Sequence, residues 1–473
     1  MAVTAPTAAT DLRVNLDRIK SDLMTLSEIG RDERDRGIYR MAFTDADIEG
    51  KRWLSGQIES ADLVASEDGA ANVSATLAGG EGSPRVLVGS HTDTVPCAGP
   101  LDGALGVIVG LECLRRIRES GLRPRRTLEL ISFSDEEGRF GGMFGSQAVC
   151  GQITPDALHT LHDLDGVRLG DEMRRHGYDP MAVLDAARDP DSIAAYLELH
   201  IEQGPVLDRR HQAVGVVDEI TGLFKWAVWL RGEANHAGTT PMEMRNDAFM
   251  GLAEFAHEIP RILEENGSDR SRATIGRAQI LPGAANTVPG LVEFSLDVRD
   301  TSEAVLEELA SAFRKALSAI ARRRGLMFEF EQQSYIRPVA CSPEVVDVLS
   351  AQSDRLGLDY LRMPSGAAHD AQIMGSIVPV GMVFVPSKGG QSHSPSEWTA
   401  WSDIEAGANV MLQTLLHLAN ASEPPARHLP QADMPRSPDL ARPVKPVNVS
   451  VKPSNVSVKP SGQPATPAPR PSR

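Results

Sequence analysis

Apolar and polar positions follow two periods along this chain, and the style of alternation changes twice. In DLRVNLDRIKSDLMTLSEIG the apolar residues Leu12, Leu16, Ile19, Leu23 and Leu26 recur at helical spacing, with Asp11 placed to cap the start and Gly30 the end. From Pro84 to about Gly204, short apolar runs alternate with helical patterns: RVLVGS, TLELISFS and AYLELHI read as strands and GVIVGLECLRRIRESG as a helix. That alternation predicts an α/β sheet with helices on its faces.

Between about 212 and 332 the pattern differs. KWAVWLRG, RATIGRAQIL and GLVEFSLDVRD alternate more strictly, and DAFMGLAEFAHEIPRILEENG and SEAVLEELASAFRKALSAIARRRG read as helices. This predicts a smaller α+β unit with a largely antiparallel sheet, inserted into the first. SPEVVDVLSAQSDRLG and PVGMVFVPS then return to the earlier style. The expected organisation is a discontinuous α/β domain over 1–211 and 333–422, an inserted α+β lid or dimerisation domain over 212–332, and a tail over 423–473. The tail is Pro-rich and repeats NVSVKPS in tandem, and from Pro424 onward its eight basic residues stand against two acidic ones. So little apolar surface cannot offset the entropy of ordering, and disorder is expected there.

Composition narrows the function classes. A formal charge of -16 over 473 residues argues against nucleic acid as a partner. Charges interrupt every apolar run before a membrane span could form, and the N-terminus lacks a basic start followed by an apolar stretch. Cys97, Cys113, Cys150 and Cys341 form no CxxC pair, as expected of reduced thiols in a cytoplasm.

The candidate chemistry sits at the strand ends. GSHTDTVPCAGPLDG follows RVLVGS and holds His91, Asp93 and Asp102; TLELISFS leads into Asp135-Glu136-Glu137-Gly138. His200 lies in AYLELHIEQG, and His393 in SKGGQSHSPSEW after PVGMVFVPS. Ligands of open α/β sheets bind at the carboxyl ends of strands, so these groups can converge. Taken singly, each has an ordinary reading: Asp102 before Gly103 as turn chemistry, a loop histidine as a solvated side chain, adjacent glutamates as a solvated face. Together, three imidazoles with two or three carboxylates suit Zn, Mn, Co or Ni better than Ca or Mg. Five potential ligands allow a two-metal site, in which one carboxylate bridges ions about 3.5–4 Å apart. One Glu of the DEEG run then binds metal while its neighbour takes a proton from water.

The motifs GSHTDTVPCAGPLDGALG, SFSDEEGRF, LELHIEQGPVL, NHAGTTPM, NTVPG, DVRD and GQSHSPSEW, in this order over about residues 10–420, resemble the hydantoinase/carbamoylase branch of the metallo-aminoacylase and carboxypeptidase superfamily. That branch includes N-carbamoyl-L-amino acid hydrolases, β-ureidopropionases and allantoate amidohydrolases. The resemblance implies a homodimeric hydrolase of linear C–N amide bonds with two divalent ions per subunit, and a small substrate bearing a carboxylate. It implies that His91, Asp102 and His200 hold one ion and Asp102, Glu137 and His393 the other. Glu136 is then the general base, and Asp93 orients His91 through its second nitrogen.

The same resemblance gives His236 the role of reaching across from the partner subunit to stabilise the oxyanion. It gives Asn286 and Arg299 the substrate carboxylate, for which a guanidinium fork is suited, although Arg299 alone reads as a strand-end surface charge. Gln203 is expected at the ureido group, and His369 in the pocket wall with Asp370 as its orienter, or both as structural residues. Relatives acting on peptides often carry a carboxylate where His200 stands. Closure of the inserted domain, placing Arg299 and Asn286, is the expected gating step. Two departures stand out. Cys97-Ala98-Gly99-Pro100-Leu101 replaces a run with two glycines and a basic or aromatic residue, and Ser394 replaces the commoner Asn. Both are expected to lie beside the site, with Cys97 close to the metals, and to bear on substrate identity.

Overall fold

Strands whose residues are buried end to end alternate with strands buried on one face only, and this difference separates two sheets. A computed structural model describes residues 11–427. The expectation of a disordered tail with its NVSVKPS repeat therefore lies almost wholly outside the described residues. The strands are β1 (Val64–Glu67), β2 (Val73–Leu77), β3 (Glu81–His91), β4 (Arg126–Phe133), β5 (Ile193–Ile201), β6 (Val214–Ile220), β7 (Gly222–Arg231), β8 (Arg272–Thr274), β9 (Ala278–Leu281), β10 (Leu291–Asp300), β11 (Met327–Ile336), β12 (Val339–Ala340), β13 (Tyr360–Ser365) and β14 (Val380–Val385). The longer helices are α1 (Leu16–Glu28), α2 (Asp45–Ser60), α3 (Ala104–Glu119), α4 (Ala248–Asn266), α5 (Glu303–Arg324), α6 (Pro343–Arg355) and α7 (Trp401–Asn420).

The large sheet runs β1-β2-β4-β3-β5-β14-β6-β12, with β13 also on β6. β4, β5 and β14 are buried along their whole length. Near-continuous apolar runs of this kind require cover on both faces. α3 and α7 supply much of it, and their apolar residues join those of the strands in one core. β3 is parallel to β4 and β5, and β5 to β14, so the carboxyl ends of these four neighbours open at one edge.

The small sheet is antiparallel, in the order β11-β7-β10-β8 with β9 on β10. Buried and half-buried residues alternate strictly along β10. Its covered face packs on α4 and α5, where the Phe255 ring meets Phe294 at 5.7 Å and Phe313 at 5.9 Å. The chain passes from the large sheet to the small one at Thr221 and returns after Ile336. We propose these crossings as the domain borders in place of 211/212 and 332/333. β6 continues the large sheet past 212, and β11 keeps its pairing with β7 past 332. Buried Gln372 spans both crossings, its Nε2 donating to the Thr221 carbonyl at 3.1 Å and to the Arg337 carbonyl at 2.7 Å.

Three local expectations change. α1 is capped by Asn15, whose side chain accepts the Arg18 amide, and not by Asp11. The Val14 and Asn15 amides are drawn to Asn409 and Glu112 on α7 and α3, which keeps 12–15 out of the helix. RATIGRAQIL forms two short strands, because the Ser295 hydroxyl accepts the Arg277 amide and interrupts the ladder between β8 and β9. β3 extends through His91, so this residue ends a strand and does not sit in the turn beyond it. No helix among the described residues is long and apolar enough to cross a membrane.

Because Phe255 is fully buried between both small-sheet helices and β10, Phe255→Ala is expected to cost about 3–5 kcal/mol through lost burial and the cavity left. Urea denaturation followed by tryptophan fluorescence measures this. An unchanged midpoint would contradict the packing.

Candidate active site

His91, at the end of β3, is fully buried, and its Nδ1 lies 3.0 Å from the Asp93 main-chain carbonyl. A carbonyl can only accept, so Nδ1 carries the ring proton and Nε2 offers its lone pair. Burial drives the His91 pKa down to about 4, outweighing the nearby Asp102, so this imidazole is neutral. His200, near the end of β5, is tethered the same way, Nδ1 to the Ile201 carbonyl at 2.9 Å. Burial disfavours its charged form, yet the Asp102 carboxylate 3.1 Å from Nε2 brings its pKa up to about 9.

Asp102 is where the loops meet. Its Oδ1 faces His200, while Oδ2 accepts from Gln203 Nε2 at 2.8 Å and from the Ser392 hydroxyl at 2.7 Å. His393 Nε2 lies 3.3 Å from the same Oδ2 and 3.6 Å from Glu137 Oε2. Burial opposes ionisation of Asp102, but hydrogen bonds from His200 and His393 hold its carboxyl well below the usual carboxylate range. Gly103 follows with φ +64°, and a Cβ there would lie 2.3–2.4 Å from the His91 ring. Only glycine lets the chain turn into α3 against that imidazole.

β4 ends in the turn that carries Glu136 and Glu137. Glu136 Oε2 stands 3.4 Å from His91 Nε2. The Asp93 carboxylate accepts the Glu136 and Glu137 amides at 3.3 and 3.1 Å, and is itself 3.8 Å from His91 Nδ1. Asp93 thus meets the second nitrogen of His91 with its main-chain carbonyl, while its carboxylate fixes the two glutamates.

The structure brings together two donor groups, His91–Asp102–His200 and Asp102–Glu137–His393, each with ligand atoms within 4.8 Å of one another and sharing Asp102. Burial, then neighbouring carboxylates, push the Glu136 and Glu137 carboxyls well above their ordinary range. Glu137 Oε1 is buried without a hydrogen-bond partner. Concentrated negative charge, the inward-facing Nε2 lone pair of His91 and an orphaned carboxylate oxygen fit cations. A further group, Glu198–His200–His369, is less open to a metal, since Glu198 already accepts from Ser90, Tyr196 and the Ala371 amide.

His369 packs edge-on against His200, ring centroids 4.5 Å apart, and its Nε2 meets the Ser365 hydroxyl at 2.9 Å; burial keeps this ring neutral. Its hydrogen bond thus goes to Ser365, a partner other than the expected Asp370. The remaining expected residues lie on the small sheet. Arg299 is held by Asp297 at 2.9 Å and donates to the Gly366 carbonyl at 2.7 Å, on the segment leading to His369. It borders a groove of about 680 Å³ on the open sheet face, with Lys225, Trp229 and Arg277. His236 and Asn286 are exposed, with the Ala237 amide donating to the Asn286 carbonyl and the Gly238 amide to His236 Nδ1. Neither joins the ligand groups among the described residues. Cys97 packs against Gly37, its Sγ lying where a Cβ on that glycine would sit. Ser392 and Glu397 were not expected at the site. The motif GQSHSPSEW contains both, and a hydroxyl and a carboxylate flanking a ligand histidine are the signal that could have found them.

Imidazoles and carboxylates joined through one shared aspartate at a strand-end edge define a metallohydrolase centre. A model of Peptidase family M20/M25/M40 matches residues 87–417. An N-carbamoyl-L-amino acid amidohydrolase of Geobacillus stearothermophilus is 36% identical over 407 residues, covering 85% of this chain and 98% of that protein. An allantoate amidohydrolase of Bacillus subtilis is 33% identical over 388 residues, covering 81% and 93%. The crystal structure of a hydantoinase/carbamoylase family amidase from Burkholderia multivorans superposes with a TM-score of 0.79 at 33% identity, over 86% of this chain and 98% of that one. The chain belongs to the M20/M25/M40 family, in its hydantoinase/carbamoylase branch, and is an amidohydrolase of linear C–N bonds. The family is metal-dependent with a dinuclear site, which agrees with the paired donor groups.

Gly103→Ala forces its new Cβ into the His91 imidazole. A loss of at least about tenfold in metal affinity is expected, in keeping with displaced ligand geometry, with cooperative folding retained. Metal analysis after dialysis, alongside a thermal melt, tests this; full metal content would disprove the contact.

Proposed function

We propose that this chain hydrolyses an N-carbamoyl-L-amino acid to the amino acid, CO2 and ammonia. The observation that carries the reading is the pairing of the Asp102-centred donor set with Arg299, which borders the open groove and hydrogen-bonds the Gly366 carbonyl. Such a pair suits a substrate with an amide at one end and a carboxylate at the other. Relatives named as N-carbamoyl-L-amino acid amidohydrolases, spanned almost end to end, support the substrate class.

In this reading His91, Asp102 and His200 hold one divalent ion and Asp102, Glu137 and His393 the other, zinc or manganese, with cobalt or nickel fitting the same donors. When bound, the ions supply Lewis acidity toward the carbonyl oxygen and toward water. Glu136 takes the proton of the attacking water and returns it to the leaving amino nitrogen. The C–N bond to the amino acid breaks, and the carbamic acid released decomposes to CO2 and ammonia. Gln203 contacts the ureido group and His369 forms the wall beneath it. Arg299 exchanges Asp297 for the substrate carboxylate, aided by Asn286.

His236 donates to the oxyanion from its Nε2, since Nδ1 accepts the Gly238 amide. We place that residue in the partner's site, and the protein is a cytoplasmic homodimer in this reading. Exposed Met242, Met244, Phe249, Met250, Ile280 and Leu281 on the small domain support an interface there. Allantoate, which also joins a carboxylate to ureido groups, is the second reading, supported by relatives that bear that name.

Ammonia release from N-carbamoyl amino acids, allantoate and N-acyl amino acids, compared as kcat/KM, tests the assignment. The highest value is expected for a carbamoyl substrate, with activity abolished by chelation and restored by zinc, manganese, cobalt or nickel. Glu136→Gln is expected to lower kcat by about 10²–10⁴-fold while metal stays bound. Metal-loaded protein inactive on every ureido substrate would refute the reading.

A further inference from the structure

We infer that Glu397 is a positioning residue that fixes Asp102, the shared donor, by tying its loop to the loop that carries His393. The inference rests on the reading of Asp102 as a ligand to both cations. Glu397 is almost wholly buried, and its Oε1 accepts two consecutive main-chain amides, Leu101 at 2.8 Å and Asp102 at 2.9 Å. Its Oε2 lies 3.1 Å from the Ser392 hydroxyl, which is 2.7 Å from Asp102 Oδ2. One carboxylate thus holds the backbone of Asp102 directly and packs against Ser392, whose single hydroxyl proton is shared between Asp102 Oδ2, the nearer acceptor, and Glu397 Oε2. The two loops come from strands β3 and β14, which are not neighbours in the sheet, since β5 lies between them.

The fit against this side chain is close. A Cβ on Gly99 would stand 2.4 Å from the Glu397 Cβ, so the chain before Asp102 passes flush against it. Without Glu397 the buried Leu101 and Asp102 amides lose their acceptor, and the loop must move to satisfy them. Movement there displaces Asp102, which alone belongs to both main donor groups. Residues beyond the ligands that orient them are worth about 10–100-fold in metal affinity.

The role is one of hydrogen-bond acceptance and not of charge, and a glutamine separates the two. In Glu397→Gln the amide oxygen still accepts both main-chain amides. The amide nitrogen donates to Ser392, whose proton remains on Asp102.

The test uses the full chain freed of metal with a chelator and titrated with cobalt(II) alone, read by calorimetry and visible absorption. Wild type is expected to bind two ions. Glu397→Ala is expected to bind the weaker ion about 10–100-fold less tightly, and Glu397→Gln to recover to within about threefold of wild type. Ser392→Ala is expected to fall between them. Glu397→Ala binding both ions like wild type overturns the inference, as does Glu397→Gln binding no better than alanine. Should Glu397→Ala fail to fold, Ser392→Ala decides: weakened binding supports the tie and unchanged binding overturns it. A wild type that binds fewer than two ions defeats the two-cation reading itself, and the inference with it.

Discussion

The arrangement depends on one buried carboxylate, Asp102. An ionised carboxylate out of water is costly unless every lone pair finds a partner. Asp102 meets that condition with groups from two separate stretches of chain: His200 and Gln203 at the end of β5, and Ser392 and His393 after β14. Each of those stretches leaves a strand of the same sheet at the same edge. The parallel register of β3, β5 and β14 is therefore what makes a single acceptor for so many donors possible. The apolar runs within these strands, buried on both faces, fix that register.

Around Asp102, carboxylates accumulate beyond what the imidazoles balance. Asp93 is pushed up to about 7 by burial and then by Asp47, and Glu397 to about 7 by burial and then by Asp102. Behind them the fold supplies compensating cations. Arg40 is wholly buried, donating to the carbonyls of Thr92, Leu26 and Ile29, and Lys51 pairs with Asp47 at 3.2 Å while donating to Ser134. These charges steady the turns that carry His91, Glu136 and Glu137 from the rear, leaving the front of the cluster for cations. Arg40 and Lys51 thus place positive charge within the same buried region as the surplus carboxylates.

Much of this was legible in the chain itself. Strand-helix alternation located β3, β4, β5 and β14, and with them the histidines and acids at their ends, because burial on both faces writes itself as uninterrupted apolar runs. The family resemblance then sorted those residues into roles that no periodicity distinguishes. What escaped was whatever depends on partners distant in sequence. The cap of α1 falls on Asn15 because α3 and α7 capture the two amides near it, and neither helix is near in the chain. Asp93 reaches His91 Nδ1 with its main-chain carbonyl at 3.0 Å and its carboxylate only at 3.8 Å, a choice of atom that sequence cannot show. Glu397 went unremarked because the main-chain amides that donate to it lie almost three hundred residues away, although its motif was in plain view.

The residues expected to bind the substrate carboxylate raise a different issue, for they sit on the other sheet. The connection is short. Ser365 accepts the Thr221 amide at the first crossing and meets the His369 ring with its hydroxyl; the next carbonyl, that of Gly366, accepts Arg299. Gln372, a few residues on, grips both crossings at once. One segment, 365–372, therefore touches the hinge, the guanidinium and the ring packed on His200. The Gln372 bonds and the Arg299–Gly366 bond together fasten this segment to both crossings and to the small sheet. Arg299, paired with Asp297, and the His369 ring packed on His200 are thus joined through the eight residues 365–372.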